Sequence, residues 1–289
     1  MSTYTVTPDV PLAWSRLDIE RRVGFRGARF TRVSNFLACL IGTILTVLFY
    51  GALIPMNGTV LDPLYDSFIK RGICPYFTVW LSFWSLAILF LKWRKLALQR
   101  KALRYLVVPP GHDFVLSSAN VDVVTDKIFS TVDDPKNFIL FNRIMIALSN
   151  LRNMGRVTDV DEILRSQAEQ DESGMQTSYA VVQAFIWAIP VLGFIGTVLG
   201  LSQAIGAFGA VLGGATDVGE LAGALRRVTA GLSTAFETTL QALVAALIIQ
   251  LLLTLLRKSE EEFLDACAEY CVRNVVGKLR IMPFERSAE

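Results

Sequence analysis

The chain has 289 residues, 53% of them hydrophobic and 19% charged, and its mean hydropathy is +0.46. That balance excludes an ordinary soluble domain, and a formal charge of only +2 supplies no basic field for nucleic acid. Cys39, Cys74, Cys267 and Cys271 show no CxxC spacing and have no nearby histidine, so structural roles are expected rather than a zinc site or a disulfide framework.

Residues 1–34 are polar and arginine-rich, with Arg16, Arg21, Arg22, Arg26, Arg29 and Arg32. A polar stretch of this length before the first apolar run argues against a signal peptide. The segment reads as a solvated tail whose charges set topology, with a short amphipathic helix near 17–23 as the other reading. An uncharged run over 36–55 is the first span, and it closes on the turn signal Pro55-Met56-Asn57-Gly58. The second span covers about 73–91 and carries aromatic residues suited to the interfaces, among them Tyr76, Trp80 and Trp93. Lys92, Arg94, Lys95, Arg100, Lys101 and Arg104 follow at once. By the positive-inside rule both flanks of this hairpin (35–95) are cytoplasmic.

Residues 96–178 then form a helical cytoplasmic domain. Pro109-Pro110-Gly111 signals a loop. Amphipathic helices are expected over about 119–130 and 135–154, and a further helix from 160 with Asp159 as its N-cap. From Ser173 to Thr216 no residue is charged, which is ample length for a third span. At about 100° per residue, Pro190, Gly193, Gly196, Thr197, Gly200, Ala204 and Ala207 fall on one side of that helix, a seam of small residues along which another backbone can approach closely. Pro190 also removes a backbone hydrogen bond and can kink the helix. A glycine-rich outer loop over 206–219 leads to the fourth span at about 228–256, where Thr234, Thr238, Ala242 and Ala245 share a face. The tail 259–289 is a charged helix read as solvated. An even number of spans places both termini inside. The fold class is therefore an all-α membrane protein with four transmembrane helices and a helical cytoplasmic domain.

No constellation for catalysis stands out. His112, the only histidine, lies in the Pro/Gly-rich loop, there is no Walker motif, and Asp133-Asp134 and Asp171-Glu172 read as solvated pairs. The chain is not read as an enzyme and no cofactor is expected. The chemistry left is in the third and fourth spans. A threonine hydroxyl donates and accepts, so Thr197, Thr238 and Thr239 suit a bound water or hydrated cation, unless each bonds back to its own helix. Glu237, with Gln241 one turn on, is either an ion ligand or an interfacial partner of Arg226 or Arg227.

Pro190-x-x-Gly193-x-x-Gly196-Thr197-Val198-x-Gly200, paired with Ala235-Phe236-Glu237-Thr238-Thr239-x-x-Ala242-Leu243, resembles the MotA/TolQ/ExbB proton-channel family. The resemblance covers about 179–262, roughly the C-terminal third, and the transmembrane pair that carries it spans 179–258. It implies a homopentamer around two copies of a single-span ExbD/TolR/MotB-like partner in a bacterial inner membrane. A partner aspartate would carry the ion, H⁺ being favoured and Na⁺ the alternative, along a path lined by Thr197, Thr238, Thr239, Glu237 and Gln241. Ion flow would then drive mechanical work by a stator. Lipid is expected as the surrounding medium and nucleic acid is not a partner. Four spans resemble the flagellar-stator layout, Gly196-Thr197-Val198 the TolQ/ExbB branch, and Ala242 stands where many members have glycine. A non-conducting four-helix membrane scaffold is the alternative function.

Overall fold

The computed structural model describes residues 11–279 except 23, 25–27, 57, 59–61, 110–113, 118, 155–156 and 213–217. Among the described residues it is all-helical, with no strand. In chain order the helices are α1 (Trp14–Leu17), α2 (Ile19–Arg22), α3 (Asn35–Leu53), α4 (Asp62–Ile69) and α5 (Cys74–Ala102), then α6 (Val121–Thr131), α7 (Ile139–Met154), α8 (Val157–Ser178), α9 (Ala180–Leu212) and α10 (Val218–Asn274). Among the described residues four helices are long and apolar enough to cross a membrane, and each overlaps one of the four runs read as spans; the first ends at Leu53 rather than at Pro55. The chain is a multi-pass membrane protein. Its contacts divide it into a unit of 35–90 with 179–255 and a unit of 1–34 with 91–178 and 256–289.

In the first unit, apolar side chains face outward along every span. Trp187 is 79% exposed, and Phe194, Ile205, Phe236, Leu240 and Leu247 are also exposed. Water would not tolerate so much contiguous apolar surface, whereas hydrocarbon does. Gly42 of α3 marks the crossing with α5, because a Cβ there would lie 2.7 Å from the Trp84 Cα. Trp80 donates its indole N–H to Thr43 at 3.0 Å across the same hairpin. α9 runs unbroken through Pro190. The expected glycine-rich outer loop is shorter than 206–219, because α9 continues to Leu212 and α10 begins at Val218; 213–217 lie outside the described residues.

The second unit has a conventional core of Phe138, Leu140, Phe141, Ile144 and Leu148, the apolar face of α7 and the residue before it. Several charged residues that read as solvated are buried here. Trp14 is 1% exposed and packs edge-on against Phe138 at 5.2 Å, so the arginine-rich N-terminal segment, where it is described from residue 11 on, is not a solvated tail. Asp133 anchors it by accepting the backbone N–H groups of Trp14 and Ser15. Lys95 is buried too, bonding Glu20 at 2.6 Å and the carbonyls of Ala28 and Arg32. Arg143 and Asp171 form a sealed pair at 2.6 Å, and Lys92 meets Glu260 at 3.4 Å. Asp133, Asp171 and Glu260 are thus structural partners rather than solvated charges, because each found a donor from a distant segment, which composition does not reveal. Asp134 caps the 3-10 turn Pro135–Asn137. Asp159 falls in the first turn of α8 instead of capping it. Cys267 and Cys271 are buried free thiols, as is Cys74 of the other unit. His112 and the Pro110-Gly111 turn lie outside the described residues.

Candidate functional site

The small seam is where α9 and α10 touch. A Cβ built on Gly193 would lie 2.5 Å from the Ala242 Cβ, and one on Gly196 would lie 2.7 Å from the Thr238 Oγ1. Gly200 faces the Gly231 carbonyl at 2.9 Å, and Gly231 in turn faces Ala204 at 2.8 Å. Partners descend along α10 as positions rise along α9, so the two helices are antiparallel and in contact over about three turns. At Gly200 and Gly231 the obstacle is backbone, which cannot move aside. The side chain of Ala207 lies outside those described.

The hydroxyls divide by what they bond. Thr197 donates to the Phe194 carbonyl of its own helix at 2.6 Å and stays half-buried. Thr238 donates to its own turn, at 3.0 Å to Thr234 and 3.1 Å to Ala235, and is buried in the notch opposite Gly196. Thr239 reaches across, donating to the Gly193 carbonyl at 3.1 Å. Gly193 lies one turn before Thr197, so this bond ties α10 to the region of α9 that carries Thr197.

Glu237 sits in a closed polar cluster. Arg71, just past α4, holds it in a fork, with Nε to Oε2 and Nη2 to Oε1 both at 2.9 Å. Ser67 donates to Oε2 at 2.9 Å and Ser233 to Oε1 at 2.8 Å. Arg71 also donates to Thr234 at 3.0 Å. Gln241 points the same way, donating to the Ser67 carbonyl at 3.2 Å. The guanidinium that Glu237 meets is thus Arg71's, not that of Arg226 or Arg227. Glu237 and Gln241 border a cavity of about 500 Å³ whose other walls are mainly apolar, including Phe49, Phe68, Phe83 and Val244. At 1.5 Å rise per residue, Thr197 is about 27 Å along α9 from Tyr179, and Glu237 about 27 Å along α10 from Leu255. The polar groups therefore gather at one level along α9 and α10.

This arrangement of a glycine seam opposite a hydroxyl-bearing helix lies inside a stretch with a family match. Residues 137–268 match the MotA/TolQ/ExbB proton channel family. The match takes in α7, α8, the α9–α10 seam and Glu237, and ends short of Cys271. It includes more of the chain than the resemblance over about 179–262, because it extends back through α8 and α7. No curated protein and no solved structure gives a match. The family is one of channels and transporters rather than enzymes, and its members in general work as oligomers with single-span partners.

Arg71 and Ser67 lie outside the MotA/TolQ/ExbB match, and the sequence singled out neither of them. Arg71 is 166 residues from Glu237. The one available signal was that an acid this deep in a span needs a cation, and spacing did not favour Arg71 over the nearer Arg226 and Arg227. Among the described residues no group of histidine, cysteine and carboxylate side chains could hold a metal ion.

Proposed function

We propose that the chain is the pore-wall subunit of an ion-driven motor in a bacterial inner membrane, with both termini cytoplasmic. Five copies would surround two single-span partner chains. H⁺ is the favoured ion and Na⁺ the alternative, and the partner would carry the titrating carboxylate. The observation that carries this reading is the interlocked α9–α10 seam, with the Thr239 hydroxyl joined to the Gly193 carbonyl inside the segment that matches a proton channel family.

In this reading Thr197 and Thr239, both half-buried, face the path, and Thr238 braces it from the Gly196 notch. The back-bonded hydroxyls keep their oxygen lone pairs, so they still accept from a passing water or hydronium. Glu237 has its carboxylate oxygens filled by Arg71, Ser67 and Ser233, and Gln241 extends the same cluster. We assign these two to fixing the outer end of the path rather than to carrying the ion. Pro190, Gly193, Gly196 and Gly200 supply the shape that lets α9 and α10 act as one wall.

Native mass spectrometry of the detergent-purified protein, co-expressed with the product of the neighbouring gene, tests the assembly. A five-to-two complex is expected; a monomer or dimer with no single-span partner would favour the non-conducting scaffold. Thr197→Val and Thr239→Val nearly preserve shape. Both should assemble normally yet lose ion flux in proteoliposomes by tenfold or more, and unchanged flux would remove the hydroxyls from the path.

A further inference from the structure

A cleft of about 460 Å³ lies wholly within the unit built on 91–178 and is separate from the α9–α10 seam. Its volume is that of a small-molecule site and well above what a bare inorganic ion needs. Arg29, Arg32 and Lys136 stand at its edge, all exposed, and among the described residues no acid pairs with any of them. The two acids in the lining are already committed. Asp171 is bonded to Arg143 from behind, and Glu260 is held by Lys92 and by the Thr31 hydroxyl. The cleft therefore presents three uncompensated positive charges. Asn142 and Gln170 add amide groups beside them.

Position and shape narrow the ligand further. The Arg32 guanidinium lies over Gly174, with Nη2 3.1 Å from where a Cβ would stand, so the absent side chain leaves it room in the cleft. Between the two arginines, Phe30 has φ +60°, the single positive value among described non-glycine residues. A bulky side chain rarely adopts that backbone, and such outliers cluster at ligand sites. Phe30, Ile146 and Leu264 add apolar side chains to the lining.

We propose that this cleft binds a phosphate monoester carrying a compact, partly apolar organic group. A monoester brings close to two negative charges and three strong acceptor oxygens, matching two guanidinium forks and an ammonium. The organic part lies against Phe30. A simple carboxylate would leave two of the three cations unmatched where a monoester leaves about one, and bare phosphate would leave the apolar part of the lining wet. The phosphate monoester could be a soluble metabolite or the headgroup of a lipid such as phosphatidic acid, and the test separates the two.

The full chain, purified in non-ionic detergent and stripped of lipid, is titrated by calorimetry with adenosine monophosphate, ribose 5-phosphate, inorganic phosphate and adenosine. Saturable binding of adenosine monophosphate is expected, with none for adenosine and at least tenfold weaker binding for inorganic phosphate. Arg29→Gln combined with Arg32→Gln, and separately Lys136→Gln, should each weaken it tenfold or more while the unliganded melting temperature stays put. These side chains are exposed and unpaired, so folding is not at stake. Nanodiscs of phosphatidylcholine with and without phosphatidic acid form the second arm. Binding confined to the phosphatidic acid discs and lost in the same variants assigns the monoester to lipid. No saturable binding in either arm, or binding that the variants leave intact, overturns the proposal.

Discussion

In the unit built on 91–178, Lys95 meets Glu20 and Arg143 meets Asp171 at 2.6 Å each, with all four side chains nearly sealed from solvent. In the unit of 35–90 and 179–255, the buried contacts between α9 and α10 are made by glycine, alanine and threonine. Arg71 and Glu237 are kept at the end, partly exposed. The difference follows from the medium each unit needs. Beside water, burial of apolar surface holds the elements together, and a buried charge is tolerated once a partner arrives. In hydrocarbon that driving force is absent between helices, so adhesion depends on close backbone approach and interhelical hydrogen bonds.

Orphaning a buried charge should do the most damage. Arg143→Met leaves the Asp171 carboxylate without its cation and should cost about 3–5 kcal/mol, read as a large drop in melting temperature. Adding Asp171→Leu should recover most of that loss. If the double variant is as unstable as the single, packing rather than charge is at fault.

The seam comes next. Gly193→Ala forces a methyl to within 2.5 Å of Ala242 and should destabilise by about 1–3 kcal/mol. Gly206→Ala in the same helix meets nothing within 4 Å and should instead gain up to about 1 kcal/mol. Equal effects at the two positions would mean that helix propensity, not contact, governs α9.

Smaller again is the outer cluster. Arg71→Gln removes the fork on Glu237 and should lower stability by about 1 kcal/mol, with Arg71→Lys restoring only part of it because an ammonium cannot bridge both oxygens. A full rescue by lysine would show that charge alone matters there.

The smallest effect is expected at Asp18. Burial holds its carboxyl above the ordinary 3.8, only partly opposed by Lys95, and its Oδ2 lacks a hydrogen bond. An acid with a raised folded-state value is most favourable when protonated, so its contribution falls as pH rises from the unfolded value through the folded one. Asp18→Asn should remove that slope and leave stability at neutral pH within about 0.5 kcal/mol. A marked loss in the asparagine variant would mean that the ionised Asp18–Lys95 contact is stabilising.

Much of the fold was legible because its signals are local. Apolar runs of about bilayer length, uncharged except for Glu237 in the last, mark the four spans, and α7 follows from the spacing of Phe138, Phe141, Ile144 and Leu148. The glycine and threonine positions along 190–200 and 234–242 carried the family resemblance, since small residues at one-turn spacing matter only where helices touch. What was misread concerns charge. The arginine-rich start, Asp133, Asp171 and Glu260 all passed for solvated groups, because in composition a buried charge looks the same as an exposed one.

Hydropathy and period are properties of neighbouring residues, so four apolar spans, a seam of small residues and the motif that resembles a proton channel family are readable from the chain alone. Packing sets which cation meets Glu237, which hydroxyl crosses from α10 to α9, and that Arg29, Arg32 and Lys136 gather around one cleft. Each of those depends on residues tens to more than a hundred positions apart. Nothing in local spacing encodes such meetings; they follow from how the helices pack.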